Sequence, residues 1–165
     1  MKMAGSTHVS TTDLVDQYED SIQSCDVQLR DLGGFLRFSG RIATFRSPVD
    51  NLQLKAIVEE PGDGRVLVVD AGGSLHAAMA GGNMVARAAA NGWAGLVVNG
   101  VVRDTEELAA MPIGVKAIGT NPRRSTKDGL GERDGAVEFG SVVFRPGEFL
   151  AADEDGVVVL ATPTG

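Results

Sequence analysis

Apolar residues along this chain fall into short groups of two spacings, and their alternation predicts its elements. Thr11-Thr12-Asp13 is a helix-start cluster for a helix over 13–20. After a polar connection, Gly33-Gly34 opens an extended stretch over 35–45, with Phe35, Ile42 and Phe45 as apolar members. Ser47-Pro48 reads as an N-cap followed by proline at the first helical position, with Asp50 in the first turn. The helix so begun places Leu54, Ile57 and Val58 on one face and ends at Pro61-Gly62. Residues 65–70 form a continuous apolar run, the mark of a strand buried on both faces. Turns at Gly72-Gly73-Ser74 and Gly81-Gly82 lead to an alanine-rich helix over 83–91, closed by Gly92. Residues 94–98 predict a second buried strand, 103–110 a short helix and 113–118 a third strand. Strands alternating with helices imply parallel units joined by right-handed crossovers.

The rhythm changes after Gly119. Residues 119–135 hold prolines, glycines and charges without periodicity and predict a long loop, which in a compact domain is often functional. Short strands follow over 137–139, 142–144, 149–151 and 157–160, with turns at Arg145-Pro146-Gly147 and Asp153-Glu154-Asp155-Gly156. The expected fold class is α/β, a layered β/β/α domain with parallel strand–helix units and a β-rich C-terminal part. Residues 1–10 predict a flexible arm, and 11–165 a single domain.

Composition narrows the function. A length of 165 residues, 43% hydrophobic and 22% charged, suits one globular domain and excludes disorder throughout. The 22 glycines are about 13% of the chain against ~7% ordinarily, which signals tight turns and close backbone approaches. A net charge of −7 argues against direct nucleic-acid binding, which needs cations to neutralise phosphates. Cys25 is the single cysteine, so no internal disulfide forms. No apolar run approaches the ~18 residues of a membrane span, and the first ten residues lack a signal-peptide core. The expectation is a soluble cytoplasmic protein.

Candidate chemistry gathers at Gly100-Val-Val-Arg103-Asp104-Thr-Glu-Glu107, where a buried strand hands over to a helix, the usual place for ligands in α/β sheets. Arg103 can grip a carboxylate bidentately, and Asp104 is a hard oxygen ligand for magnesium or manganese. Asp104 with Glu107 three residues on also reads as a plain helix cap, and the two readings are compatible. Gly72-Gly73-Ser74 can aim backbone N–H groups at a carboxylate or simply make a tight turn. It lacks the spacing of dinucleotide or P-loop sites. His8 and His76 make no zinc pattern, and Cys25 reads as an inert thiol. The basic island 121–127 either holds an anion or acidic partner or is a solvated loop. Residues 153–156 lack the spacing of a calcium loop and read as a turn. The small side chains of 84–89 suit close packing within the domain or between subunits.

Several pieces occurring in order resemble one family: Gly72-Gly73-Ser74-Leu75, Asn83 onward, Asn91-Gly92-Trp93-Ala94-Gly95, Gly100-Val-Val-Arg103-Asp104 and Gly119-Thr-Asn-Pro-Arg-Arg-Ser125. Pro146-Gly147-Glu148 and Asp153-Glu-Asp-Gly156-Val-Val are similar to its closing segment. The chain is identified, over residues 11–161, as similar to the RraA-like proteins. These include regulators of ribonuclease E activity and 4-hydroxy-4-methyl-2-oxoglutarate aldolases. The resemblance implies a swivelling β/β/α fold in a ring-shaped homotrimer with clefts between subunits. It implies that Arg103 holds the carboxylate and developing enolate oxygen of a pyruvoyl group, while Asp104 ligates Mg²⁺ or Mn²⁺. Gly72, Gly73, Ser74 and Leu75, with Gly82, Asn83 and Met84, would cradle the carboxylate.

The implied activity is metal-dependent C–C cleavage of a small oxo-acid to pyruvate, with oxaloacetate decarboxylation as a side activity. Where the family pattern has an aspartate upstream of the Arg-Asp pair, this chain has Gly82, and a weaker activity is expected. The chain also ends without the further segment from which longer aldolases draw an acidic residue. Shorter members bind and inhibit a ribonuclease E-type enzyme, and an acidic trimer suits arginine-rich partners. A binding protein for oxo-acids is a third expectation. Asp70-Ala-Gly-Gly73 superficially resembles an S-adenosylmethionine loop but lacks its glycine pattern, which argues against a methyltransferase.

Overall fold

The computed structural model describes residues 10–161. Helix α1 (Thr11–Tyr18) opens two residues ahead of the expected 13–20, because Ser10 Oγ accepts the Asp13 N–H at 3.3 Å and caps it. The rest of the expected arm lies outside the described residues. Strands β1 (Ile22–Ser24) and β2 (Arg30–Asp31) precede the long β3 (Phe38–Arg46), which starts later than the extended stretch expected from 35. Helix α2 (Leu52–Val58) buries Leu54, Ile57 and Val58, the face that its spacing predicts.

The start of α2 is a correction. Ser47-Pro48 does not begin it, and Asp50 lies outside it. Ser47 Oγ donates to Asp50 O at 2.8 Å and accepts the Asp50 N–H at 3.1 Å, closing a turn in which Val49 has φ +66°. Asp50 is fully buried and accepts hydrogen bonds from Leu52 N, Thr126 Oγ1, Asp128 N and Gly129 N. A carboxylate that takes four donors from two segments must sit between them, so the chain turns there before the helix can start.

The parallel centre follows the expected alternation: β4 (Val66–Asp70), a short β5 (Ala78–Ala80), α3 (Gly82–Ala90), β6 (Gly95–Val102), α4 (Thr105–Ala109) and β7 (Gly114–Thr120). The order β3-β4-β6-β7 is parallel throughout, and β5 runs beside the C-terminal half of β6. β6 extends four residues past the expected 98, and all eight of its residues are buried. The loop expected over 119–135 gives its first two residues to β7 and further on carries the two-residue β8 (Glu132–Arg133), paired with β3.

The remaining strands are β9 (Val137–Phe139), β10 (Val142–Phe144), β11 (Phe149–Asp153) and β12 (Gly156–Leu160). β9 and β10 form a hairpin, while β11 pairs antiparallel with the first half of β3 and carries β12 and β1 beyond it. β3 therefore belongs to both parts of the molecule, antiparallel on one stretch and parallel on the next.

The core has two main layers on the sheet, and a smaller third cluster of Leu14, Ala151, Val158 and Leu160 seats α1. Leu54, Ile57, Val85, Ala88 and Leu108 from the helices pack on Leu67, Val69, Leu96 and Val98. Phe139, Phe144, Leu150 and Val159 pack on the other face against Val66, Val68 and Val97. Burying such side chains contributes about 1.5–3 kcal/mol each, so β4 and β6, apolar on both faces, anchor both layers. The architecture is the mixed α/β arrangement expected. Lys116 on β7 is buried and ion-paired to Asp31 at 2.7 Å, tying β2 to the sheet. Asp153 accepts from Thr11 N, Thr11 Oγ1 and Asp155 N, so the 153–156 run is a turn that docks α1. No helix among the described residues is long and apolar enough to cross a membrane.

Candidate functional site

Strand β6 ends at Val102 and delivers Arg103 and Asp104 to the C-terminal edge of the parallel strands. Asp104 stands at the N-cap of α4, yet its side chain makes no bond to that helix, which corrects the expected Asp104–Glu107 cap. Its backbone is left-handed (φ +66°, ψ +46°), whereas a side-chain N-cap needs extended dihedrals. The carboxylate turns instead to α3, where Oδ2 accepts the Gly82 N–H at 2.7 Å. Gly81, the N-cap of α3, has no side chain to do this. Asp104 thus caps a helix that is not its own, and the left-handed backbone is the local strain that aims it.

Glu107 completes this corner. A Cβ on Gly82 would overlap Glu107 Oε1 and lie 3.4 Å from Asp104 Oδ2, so both carboxylates flank the bare glycine. The space that a side chain at 82 would need is filled from α4. Arg103 is half-buried, donates to Pro122 O at 3.2 Å and holds its Nε 3.9 Å from Asp104 Oδ2. The N–H groups of Asn83 and Met84, in the first turn of α3, have no protein acceptor among the described residues.

Gly82, Asn83, Met84, Arg103 and Asp104 line a cleft of about 630 Å³ together with Asn51, Lys55, Arg87, Arg124 and Lys127. Lys127 Nζ donates to Asn51 Oδ1 at 2.7 Å, and Asn51 Nδ2 in turn donates to Met79 O at 3.0 Å. Partial burial of the ammonium, then repulsion from Lys55, Arg124 and Arg103, holds Lys127 below the ordinary lysine value, with Asp50 pulling the other way. Burial pushes Asp50 up, but its bonds from Thr126, Asp128, Leu52 and Gly129 outweigh that and leave it below the ordinary carboxylate value. Arg87 at the rim is held bidentately by Glu59 at 2.8 and 2.9 Å.

The structure brings together Gly82, Asn83, Met84, Arg103 and Asp104. It places Gly72 and Ser74 elsewhere, in a second cleft of about 660 Å³ with Arg46, Ser47, Val49, Asp70 and Glu132. The size of that cleft does not make it the better site, since Arg46 is ion-paired to Glu132 and Asp70 is held by Asn99 and by the Gly72 N–H. The Gly73 and Ser74 N–H groups are committed to Asn99 O and Ala71 O, so this loop is stitched as a turn. Leu75 is 63% exposed, and its carbonyl accepts from Asn121.

The basic island divides. Arg124 and Lys127 face the Arg103 cleft, whereas Arg123 turns to His76, bonding its carbonyl at 2.7 Å. Lys55, Asn51 and Asp50 escaped sequence reasoning, because each reads as part of an ordinary helix start. Cys25 is half-buried against the other core layer, where burial raises its thiol above the ordinary value. Among the described residues no group of three or more His, Cys, Asp or Glu converges as a ready metal cage.

Comparison with known proteins gives a consistent result. The model of the RraA-like family (Aldolase/RraA) matches residues 11–159. The RNA-processing inhibitor RraA from Thermus thermophilis is 45% identical, with 96% of each chain covered and a TM-score of 0.93. A Geobacillus kaustophilus HTA426 protein described as S-adenosylmethionine:2-dimethylmenaquinone methyltransferase is 43% identical, covering 94% of this chain and 96% of that one, with a TM-score of 0.92. Streptomyces coelicolor RraAS2, described as an unusual member of the RNase ES inhibitor RraA family, is 26% identical, covering 93% and 81%, with a TM-score of 0.77. With the fold and a family match over almost the whole chain in agreement, this protein belongs to the RraA-like family.

Proposed function

We propose that this protein is a divalent-metal-dependent lyase. It cleaves oxo-acids of the 4-hydroxy-4-methyl-2-oxoglutarate type to pyruvate and decarboxylates oxaloacetate as a side activity. The observation that carries this reading is that Arg103, Asp104 and the unbonded N–H groups of Asn83 and Met84 open into one cleft. Those N–H groups, at the positive end of α3, receive the substrate carboxylate. The Arg103 guanidinium faces the 2-oxo oxygen, where negative charge develops as the C3–C4 bond breaks. Glu107, an exposed carboxylate beside Gly82 without a protein donor among the described residues, takes the proton of the C4 hydroxyl.

A metal fits the donor chemistry. Mg²⁺ and Mn²⁺ prefer oxygen ligands, and Mg²⁺ commonly binds through one or two carboxylates while keeping several waters, so Asp104 would hold such an ion without a closed cage. When bound, such an ion supplies Lewis-acid polarisation of the 2-oxo group. Asp104 has a second task whether or not the ion is there, since it fixes the α3 N-terminus through Gly82.

The test is pyruvate release from 4-hydroxy-4-methyl-2-oxoglutarate and from oxaloacetate. Release with Mg²⁺ or Mn²⁺, its loss with chelator and its loss in Asp104→Ala are expected. A folded protein with no release above the Asp104→Ala background overturns the reading. The second reading, inhibition of a ribonuclease E-type enzyme by direct protein contact, is favoured by the 45% identity to the Thermus inhibitor and by the charge of −7. In that case Arg103→Ala leaves inhibition intact, while neutralising surface acids weakens it and flattens its salt dependence.

A further inference from the structure

We infer that Asn121 is a positioning residue for Arg103. It clamps the start of the loop after β7 to the residues before β5, and the Pro122 carbonyl fixed in this way aims the guanidinium into the cleft. The chemical consequence rests on the lyase reading, whereas the aim of Arg103 is geometry alone.

Arg103 divides its donors. Nη1 donates to Pro122 O at 3.2 Å, and Nε lies 3.9 Å from Asp104 Oδ2. Nη2 has no protein acceptor among the described residues and is the donor left to a ligand. A Cβ on Gly81 would lie 3.1 Å from Arg103 Cγ and 3.2 Å from Nε, so the stem rests against bare backbone on that side. The bond to Pro122 O is what sets the other side. A long side chain held by one backbone oxygen is aimed only as well as that oxygen is fixed.

Pro122 has no N–H with which to anchor its own peptide, so the anchoring falls to its neighbour. Asn121 N–H donates to Val102 O at 3.1 Å, directly before Arg103. Its Nδ2 donates to Leu75 O at 2.8 Å and to His76 O at 3.0 Å, while Oδ1 accepts the Arg123 N–H at 3.0 Å. The side chain therefore closes an Asx turn around Pro122 and ties that turn to a segment remote in sequence. Two carbonyls facing the nitrogen and an N–H facing the oxygen fix which way round the amide sits. Arg123 adds a second tie, with Nη1 donating to His76 O at 2.7 Å and its carbonyl accepting the Ala78 N–H at 2.7 Å. Pro122 is thus flanked on both sides by residues bonded to 75–78. Leu75, expected to touch the substrate carboxylate, meets the Arg103 corner through this clamp instead.

The experiment measures the ¹⁵N{¹H} NOE of arginine Nε groups in the full chain, which reports side-chain order on the ps–ns scale. The Arg103 signal is assigned by its loss in Arg103→Lys. In Asn121→Ala it is expected to fall toward the value of an unbonded arginine. Arg87, held by Glu59 at the rim of the same cleft, and Arg65, held by Gly62 O, should keep their parent values. Asn121→Asp keeps the acceptor for Arg123 N–H but loses the amide donor, and it should show the same fall even if Asn121→Ala does not fold. An Arg103 signal already low in the parent, or unchanged by the substitutions, overturns the inference, as does an equal fall at Arg87 and Arg65. With the lyase substrates, both variants should lower kcat about 10-fold or more with KM little changed, because the guanidinium serves charge that develops on the 2-oxo oxygen. A parent-like kcat beside a loosened Arg103 also overturns it. If the parent itself releases no pyruvate, the lyase reading falls and the Arg103 signal alone decides the role of Asn121.

Discussion

Gly82 is the residue on which the chemistry turns. The family resemblance implies an aspartate at this place, and here Glu107 fills the volume that a side chain would need. The overlapping atom is the far end of an exposed, flexible side chain, so Glu107 can swing away at little energetic cost. Gly82→Ala is therefore expected to change stability by less than about 1 kcal/mol in urea titration. Pyruvate release should fall by about 10–100-fold, the usual consequence of losing a partner beside a metal site. Glu107→Ala should produce a similar fall, and the double variant should be no worse than either alone, as expected of two changes that remove one carboxylate. The sequence placed Arg103 and Asp104 at a strand-to-helix handover, although it ended the strand at 98 and began the helix at 103, whereas β6 runs to Val102 and α4 begins at Thr105. The service that Asp104 does for α3 was not legible, because it depends on a left-handed backbone that no local pattern of residue types announces.

Among the elements, those whose partners lie nearby in sequence were well predicted. β4, α3, β9 and β10 form where their apolar spacing and turn residues place them, because period and capping are local properties. The start of α2 was misread, since Ser47-Pro48-Val49-Asp50 has the residue types of a first helical turn while Asp50 bonds to residues more than seventy positions away. That bonding has a measurable consequence. The folded Asp50 lies below its ordinary value of 3.8, so its contribution to stability is complete above that pH. It declines as pH falls further and is gone once pH has dropped through the folded value. Asp50→Asn should be less stable than the parent near neutrality by about 1–3 kcal/mol, with the gap narrowing below about pH 3.8 in denaturant titrations. A gap that stays constant down to pH 2 would show that the charge of Asp50 has no part in holding the loop.

The whole chain carries a net charge of −7, while Lys55, Arg87, Arg103, Arg124 and Lys127 share one cleft. The long β3 joins its parallel and antiparallel parts, so the helix-covered face and the β-rich face are two sides of a continuous sheet. Charge at this scale bears on assembly and partners more than on folding. The homotrimer implied by the family resemblance predicts a mass of about 52 kDa by light scattering, three times 17.2 kDa. A particle of 17.2 kDa at micromolar concentration would overturn that expectation. Leu36, Leu52, Leu75 and Leu130 are the exposed leucines, and a subunit contact should cover some of them.

The amino-acid sequence by itself determined the α/β class, the buried strands, the apolar faces of the helices and the position of Arg103 and Asp104 between a strand and a helix. Each follows from residues a few positions apart, where helical and strand periods and turn chemistry act. Only the tertiary structure decided which distant groups share a cleft. It joined Lys55 to Arg124 and Lys127, put Glu107 into the space above Gly82, and separated the Gly72–Ser74 turn from the Arg103 corner. Those outcomes depend on strand order and on buried hydrogen bonds between remote segments, and residue types at one place in the chain carry no record of them.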